Sequence, residues 1–161
     1  MVRNVKAPKA QLVKWSATYS CGIQLIDDQH KGLLDLVNDM YNHVTGNAVE
    51  ENKYFNQVIQ TAVNYVKIHF ATEEKLMIAT KFPGYGAHKK AHEHFILTVV
   101  EKINEYKTAG GRQTLSTFTK FLHEWILSHV AVMDKVYFNY FRQIASRKAD
   151  GKLSISSADV S

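Results

Sequence analysis

Seven side chains of metal-ligand type recur along this chain at spacings that helix faces can present: His30, His69 with Glu73, His88 with His92, and His129 with Asp134. Two of the pairs, His69–Glu73 and His88–His92, are four residues apart, and residues i and i+4 of an α-helix lie on one face. Each pair can therefore aim two donor atoms at one point. Three partners correct at fixed offsets, at ~5% chance each, make a coincidence on the order of one in ten thousand. Imidazole nitrogen and carboxylate oxygen together suit iron, zinc, copper or manganese, and the lack of neighbouring thiolates argues against a soft-metal site. Seven donors exceed the needs of one tetrahedral ion and suffice for two ions sharing bridging carboxylates.

The sequence between the donors has helical period. Only two prolines occur, Pro8 and Pro83, so long stretches carry no strong breaker. A first helix is expected from an N-cap at Asp27, through His30, Leu33, Leu34, Val37 and Met40/Tyr41, to a turn at Thr45-Gly46-Asn47. A second runs from about Glu51 to Ala79 and is broken by the Phe82–Gly86 segment. A third runs from about Ala87 to Lys107, ended by Gly110-Gly111. The fourth opens near Thr114 and passes through Phe118, Leu122, Trp125 and Ile126 to His129. Long amphipathic helices joined by short turns predict an all-α, up-down-up-down antiparallel four-helix bundle. Residues 1–24 read as an N-terminal arm anchored by Trp15 and Tyr19, and residues 25–147 as the bundle domain. A short C-terminal helix through Tyr137, Tyr140/Phe141 and Ile144 closes one end. Residues 148–161, small and polar, read as a disordered tail.

One pair breaks the pattern. His129 and Asp134 are five apart, and five steps of about 100° leave them about 140° out of phase on an ideal α-helix. For both to face inward, the helix must end, tighten or bulge between Ser128 and Asp134, as helices often do at functional sites. The remaining histidines, His43, His94 and His123, have no partner that fits the scheme and read as surface or ordinary helix positions. Glu74 is about 100° away from Glu73 and is expected to face solvent.

Composition narrows the partners. Hydrophobic content of 45% and charged content of 22% are ordinary for a globular domain. The net charge of +5 is scattered among acids, with only short basic clusters at Lys81/Lys89/Lys90 and Arg142/Arg147/Lys148, so no nucleic-acid partner is expected. No run approaches the ~18 apolar residues of a membrane span, and no membrane insertion is expected. The single cysteine, Cys21, excludes an intrachain disulfide framework and fits a reducing compartment. With no signal-type apolar run in the first fifteen residues, the expected location is cytoplasmic.

Four segments carry a resemblance: IDDQH (26–30), HFATEE (69–74), HKKAH (88–92) and EWILSHVAVMDKVY (124–137). With the Trp15 arm they make residues 12 to 142 resemble the hemerythrins, the bacterial ones (bacteriohemerythrins) most closely. The resemblance implies two iron ions with an oxo or hydroxo bridge. His88, His92 and His129 would hold one iron, His30 and His69 the other, and Glu73 and Asp134 would span both. It also implies that dioxygen binds at the two-histidine iron as a hydroperoxide, with small anions as competitors at that open position. Apolar residues surround that position in the family, and the matching ones here are Leu33, Phe70, Trp125 and Ile126. Ile126 stands where many members have leucine, and its β-branch stiffens χ1. Tyr137 is a candidate support for the turn that carries Asp134.

Donor count bears on function independently. Five neutral imidazoles and two carboxylates leave a ferrous pair with one hydroxide at about one net positive charge, whereas more carboxylates would favour higher oxidation states and oxygen cleavage. Reversible oxygen binding by a non-enzyme is therefore expected, with an oxygen-consuming protein as an unidentified recipient. The competing readings are a di-iron oxidase, peroxidase or nitric-oxide-handling enzyme, and an oxygen-sensing or metal-buffering module. An enzyme would need a positioned acid or base beyond the ligands, and no such residue stands out.

Overall fold

The computed structural model describes residues 10–108 and 114–149, the side chains through 147, and within these every regular element is helical. The expected turn at Gly110-Gly111, the first nine residues of the arm and residues 150–161 lie outside the described residues. After a short 3-10 turn at Ala17–Tyr19 come α1 (Gln24–Asn42), α2 (Ala48–Ala79), α3 (Tyr85–Thr108) and α4 (Leu115–Ser128). A π-helical turn, His129–Met133, then joins α4 to α5 (Asp134–Ala149). The architecture is the expected antiparallel four-helix bundle. Helix α1 packs on α2 and α4, and α2 on α3 and α4. Helices α3 and α4 meet through Phe95, which stacks on Trp125 with ring centroids 3.5 Å apart.

Helix starts depart from the expected ones, and the caps explain why. Helix α1 begins three residues before Asp27, with Ile23 at the N-cap position and no side-chain cap. Asp27 instead ties the arm to the first turn: its carboxylate accepts the Ser20 hydroxyl and the Cys21 N–H, both at 2.7 Å. Gly22, at φ +82°, makes the reversal between them, a left-handed conformation that favours glycine. Helix α2 starts at Ala48 because Asn47 accepts the Val49 and Glu50 N–H groups. Glu51, expected to open that helix, is buried within it and accepts the Thr45 and Gly46 N–H groups, closing the α1–α2 turn. Helix α4 opens where expected, with Thr114 as its N-cap in a reciprocal box with Thr117. At the α2–α3 turn the Tyr140 hydroxyl donates to the Thr80 and Lys81 carbonyls, docking α5 on the bundle's end.

Apolar residues collect in two separate clusters. The larger includes Leu33, Val37, Phe55, Phe95, Phe118 and Ile126, with Val13, Trp15 and Tyr19 of the arm packed on it. The smaller contains Cys21, Ile26, Met77, Tyr137 and Phe138. Between them α1 and α2 change character: His30 follows Ile26 and precedes Leu33, and Glu73 falls between Phe70 and Met77.

Candidate metal centre

All seven donors lie in that intervening layer, each no more than 4% exposed. They form two overlapping groups, Glu73 with His88, His92 and His129, and His30 with His69, Glu73 and Asp134. In each group one donor atom per residue lies within 4.8 Å of every other. The i,i+4 pairs deliver their donors directly from α2 and α3. The out-of-phase pair is reconciled by the π turn, in which the Asp134 N–H bonds to the His129 carbonyl five residues back. In an i→i+5 turn the fifth residue lies over the first, so His129 and Asp134 share a face. His129 Nε2 and Asp134 Oδ1 are 3.1 Å apart.

The carboxylates point both ways. Asp134 Oδ1 is 3.3 Å from His88 Nε2, while its Oδ2 is 3.3 Å from His30 Nε2. Glu73 sets Oε2 3.4 Å from His92 Nε2 and Oε1 3.8 Å from His30 Nε2. These spacings suit a shared ion. Two donors held at about 2.1 Å and at right angles about a metal are about 3.0 Å apart, and His92 Nε2 and His129 Nε2 are 3.0 Å apart. The Nε2 atoms of His30, His69 and His88, and all four carboxylate oxygens, are buried without a hydrogen-bond partner among the described residues. Each orphaned polar atom costs about 1–3 kcal/mol, a cost that cations coordinated by these atoms would offset. The residues present fit a metal pair.

Charge inside the layer is balanced by histidine. Burial disfavours protonation of His30 and His88, yet the facing carboxylates of Asp134 and Glu73 outweigh it and push both up to about 9. Burial dominates at His69 and pushes it down to about 4. Burial opposes ionisation of Glu73 and Asp134, but the surrounding imidazoles hold both carboxyls well below the usual range.

The profile described as the hemerythrin HHE cation binding domain matches residues 21–144. The chain belongs to the hemerythrin family. A bacteriohemerythrin of Pseudomonas aeruginosa is 30% identical over 140 residues, covering 86% of this chain and 87% of the relative. The myohemerythrin of Sipunculus nudus is 28% identical over 124 residues, covering 76% and 88%. A crystal structure of wild-type hemerythrin superposes with a TM-score of 0.67 at 26% identity, covering 80% of this chain and 96% of that one.

Around this hemerythrin layer the other expected residues take distinct places. Leu33 and Ile126 are buried and border a narrow apolar cavity of about 20 Å³ running into the larger cluster. Phe70 and Trp125 lie flat on imidazoles instead: Phe70 stacks on His92 at 3.7 Å and 6°, Trp125 on His129 at 4.4 Å and 17°. Phe70 also approaches His69, with ring centroids 5.8 Å apart, so it borders both groups, while Trp125 covers the three-histidine group. Tyr137 is fully buried, but its hydroxyl, pushed up to about 12 by burial, makes no hydrogen bond to the Asp134 turn. His43 stacks on Tyr54, His94 is exposed and His123 half-buried, all outside the donor groups.

Three supports of the ligands were not expected. His30 Nδ1 donates to the Tyr19 carbonyl at 3.1 Å, and His69 Nδ1 to Gln29 Oε1 at 3.2 Å. Glu74, expected in solvent, turns inward to accept from His92 Nδ1 at 3.0 Å. Spacing along one helix cannot reveal this contact, because His92 arrives from the facing helix. Gln29 lies directly before His30, and its side chain is held by Thr72 Oγ1. Such partners fix ring orientation and raise ligand basicity. Among the described residues no helix is long and apolar enough to cross a membrane.

Proposed function

We propose that this chain binds dioxygen reversibly, for storage, transport or delivery, at two iron ions held by the seven donors. The observation that carries the reading is the set of buried, unpartnered donor atoms in two overlapping groups that share Glu73, with Asp134 of the second group also 3.3 Å from His88 and 3.1 Å from His129 of the first. His88, His92 and His129 would hold one ion and His30 and His69 the other, with Glu73 and Asp134 shared between them and an oxo or hydroxo group completing the pair. When bound, the iron pair supplies the electrons that dioxygen takes up and gives back. The chain's own residues keep that exchange reversible. Five neutral imidazoles limit the negative charge on the pair. The apolar side chains of Leu33, Phe70, Trp125 and Ile126 exclude water. This wall offers no acid or base to drive the oxygen further, which supports a binding protein over an oxidase or peroxidase. The proposed setting is cytoplasmic, with small anions as competitors and an oxygen-consuming protein as recipient.

Anaerobic reduction, oxygen addition and deoxygenation, followed in the visible spectrum, test the proposal. A charge-transfer band that appears with oxygen and vanishes on its removal is expected, with about two irons per chain. Irreversible oxidation with release of hydrogen peroxide would overturn it in favour of an enzyme.

A further inference from the structure

The five imidazoles are not supported alike. His30 leans on a backbone carbonyl and His69 on a neutral amide oxygen. Of these five, and among the described residues, only His92 has a carboxylate within hydrogen-bond distance of Nδ1. With Nε2 committed to the centre, its Nδ1 carries the hydrogen and donates to Glu74 Oε1 at 3.0 Å. The other oxygen of Glu74 accepts from Lys89 Nζ at 3.2 Å, and Lys89 also lies 3.5 Å from Glu93 Oε1. Phe70, flat on the His92 ring, fixes the plane in which the hydrogen bond is made.

We propose that Lys89, Glu74 and His92 form a charge relay that sets the reduction potential of the three-histidine iron. The proposal rests on the di-iron reading and concerns one ion of the pair. A carboxylate that accepts the Nδ1 hydrogen pushes electron density through the ring to Nε2 and favours the ferric state. The Lys89 ammonium draws charge back through the same carboxylate and favours the ferrous state. The relay thus has two opposed controls on one ligand, and neither acts on His30 or His69. Its outer end is open to water: Glu74 is 20% exposed, Lys89 42% and Glu93 59%, along an open groove between α2 and α3 that Lys67 also lines. Ionic strength therefore acts on the Lys89 arm.

The test is a potentiometric titration of iron-loaded full-length protein at low salt. Glu74→Gln keeps an acceptor of the same shape and removes the charge, and Lys89→Met leaves the carboxylate bare. Glu74→Gln is expected to shift the ferric-to-ferrous affinity ratio about tenfold towards ferrous, which reads as about 59 mV upward for one electron. Lys89→Met is expected to shift the potential downward, by an amount that shrinks at high salt. Should Glu74→Gln fail to load iron, the exposed Lys89 variant decides alone. No shift, or shifts of the same sign, in protein holding two irons per chain would overturn the relay and leave the di-iron reading intact. Wild-type protein with fewer than about two irons would overturn that reading, and the relay with it.

Discussion

Removing one residue from the π turn is expected to leave the site standing, while removing one from the regular helix beside it is expected to destroy it. On an α-helix His129 and Asp134 at five steps are about 140° apart; at four steps they are about 40° apart with about 6 Å of rise. Deleting Val132, 62% exposed on the outer face, makes the spacing four. Helices α4 and α5 can then join as one α-helix, with Asp134, Tyr137 and Phe138 still turned inward. Deleting Glu124, also exposed, has the opposite geometry, because α4 is regular there. One side of the cut rotates by about 100°, and either Leu115, Phe118 and Leu122 or Ile126 and His129 leave the core. Losing one large core side chain costs about 2–5 kcal/mol, so losing several consumes a typical stability of 5–15 kcal/mol. The Val132 deletion, which moves no buried group, is expected to change stability by no more than about 1 kcal/mol. Urea unfolding together with iron content per chain reads both variants. If the Val132 deletion lost iron and stability as fully as the Glu124 deletion, the reading of this turn as one residue accommodated within a helix would be refuted.

Three further outcomes follow from the geometry. In protein stripped of metal by a chelator, His30 and His88, raised from 6.5 to about 9, stabilise the fold fully below pH 6.5 and lose that contribution as pH rises through 9; at about 1.36 kcal/mol per pKa unit this is at most about 3 kcal/mol each. His69, lowered to about 4, removes stability as pH falls from 6.5 towards 4, so thermal melts should peak near pH 6.5, and a melting temperature that climbed towards pH 9 would contradict the assignment. At Gly32 an added Cβ would collide with the Tyr65 hydroxyl, which donates to the Gln29 carbonyl; Gly32→Ala should cost about 1–3 kcal/mol despite its better helix propensity, a neutral or stabilising result in urea counting against that close approach. Ile126→Ala enlarges the apolar cavity and should cost about 2–5 kcal/mol while speeding autoxidation, and unchanged autoxidation would remove Ile126 from the oxygen pocket.

Much of the site was legible because helical phase is a property of one chain segment. The i,i+4 pairs announce a shared point, and the misfit of His129 with Asp134 requires an irregular turn, though phase alone does not specify a π turn. What escaped depends on groups that spacing does not register. Asp27 has the right chemistry for an N-cap but spends its carboxylate on Ser20 and Cys21. Glu74 has a solvent-facing phase on α2, and only the arrival of His92 from α3 turns it inward. Phe70 and Trp125 are apolar residues near the ligands in sequence, yet the face they cover is decided by how α2, α3 and α4 pack.

The seven-donor layer divides the core, so cooperativity between its two ends cannot pass through apolar packing alone. The smaller cluster gathers the end of the arm, the start of α1, the end of α2 and α5, and by itself it is small enough to open as a separate unit. Ions gripped by α1, α2, α3, the π turn and α5 would cross-link both halves and make one folding unit of two. Amide exchange at the α5 end then becomes a gauge of occupancy: slow and global when the centre is filled, fast and local when it is not.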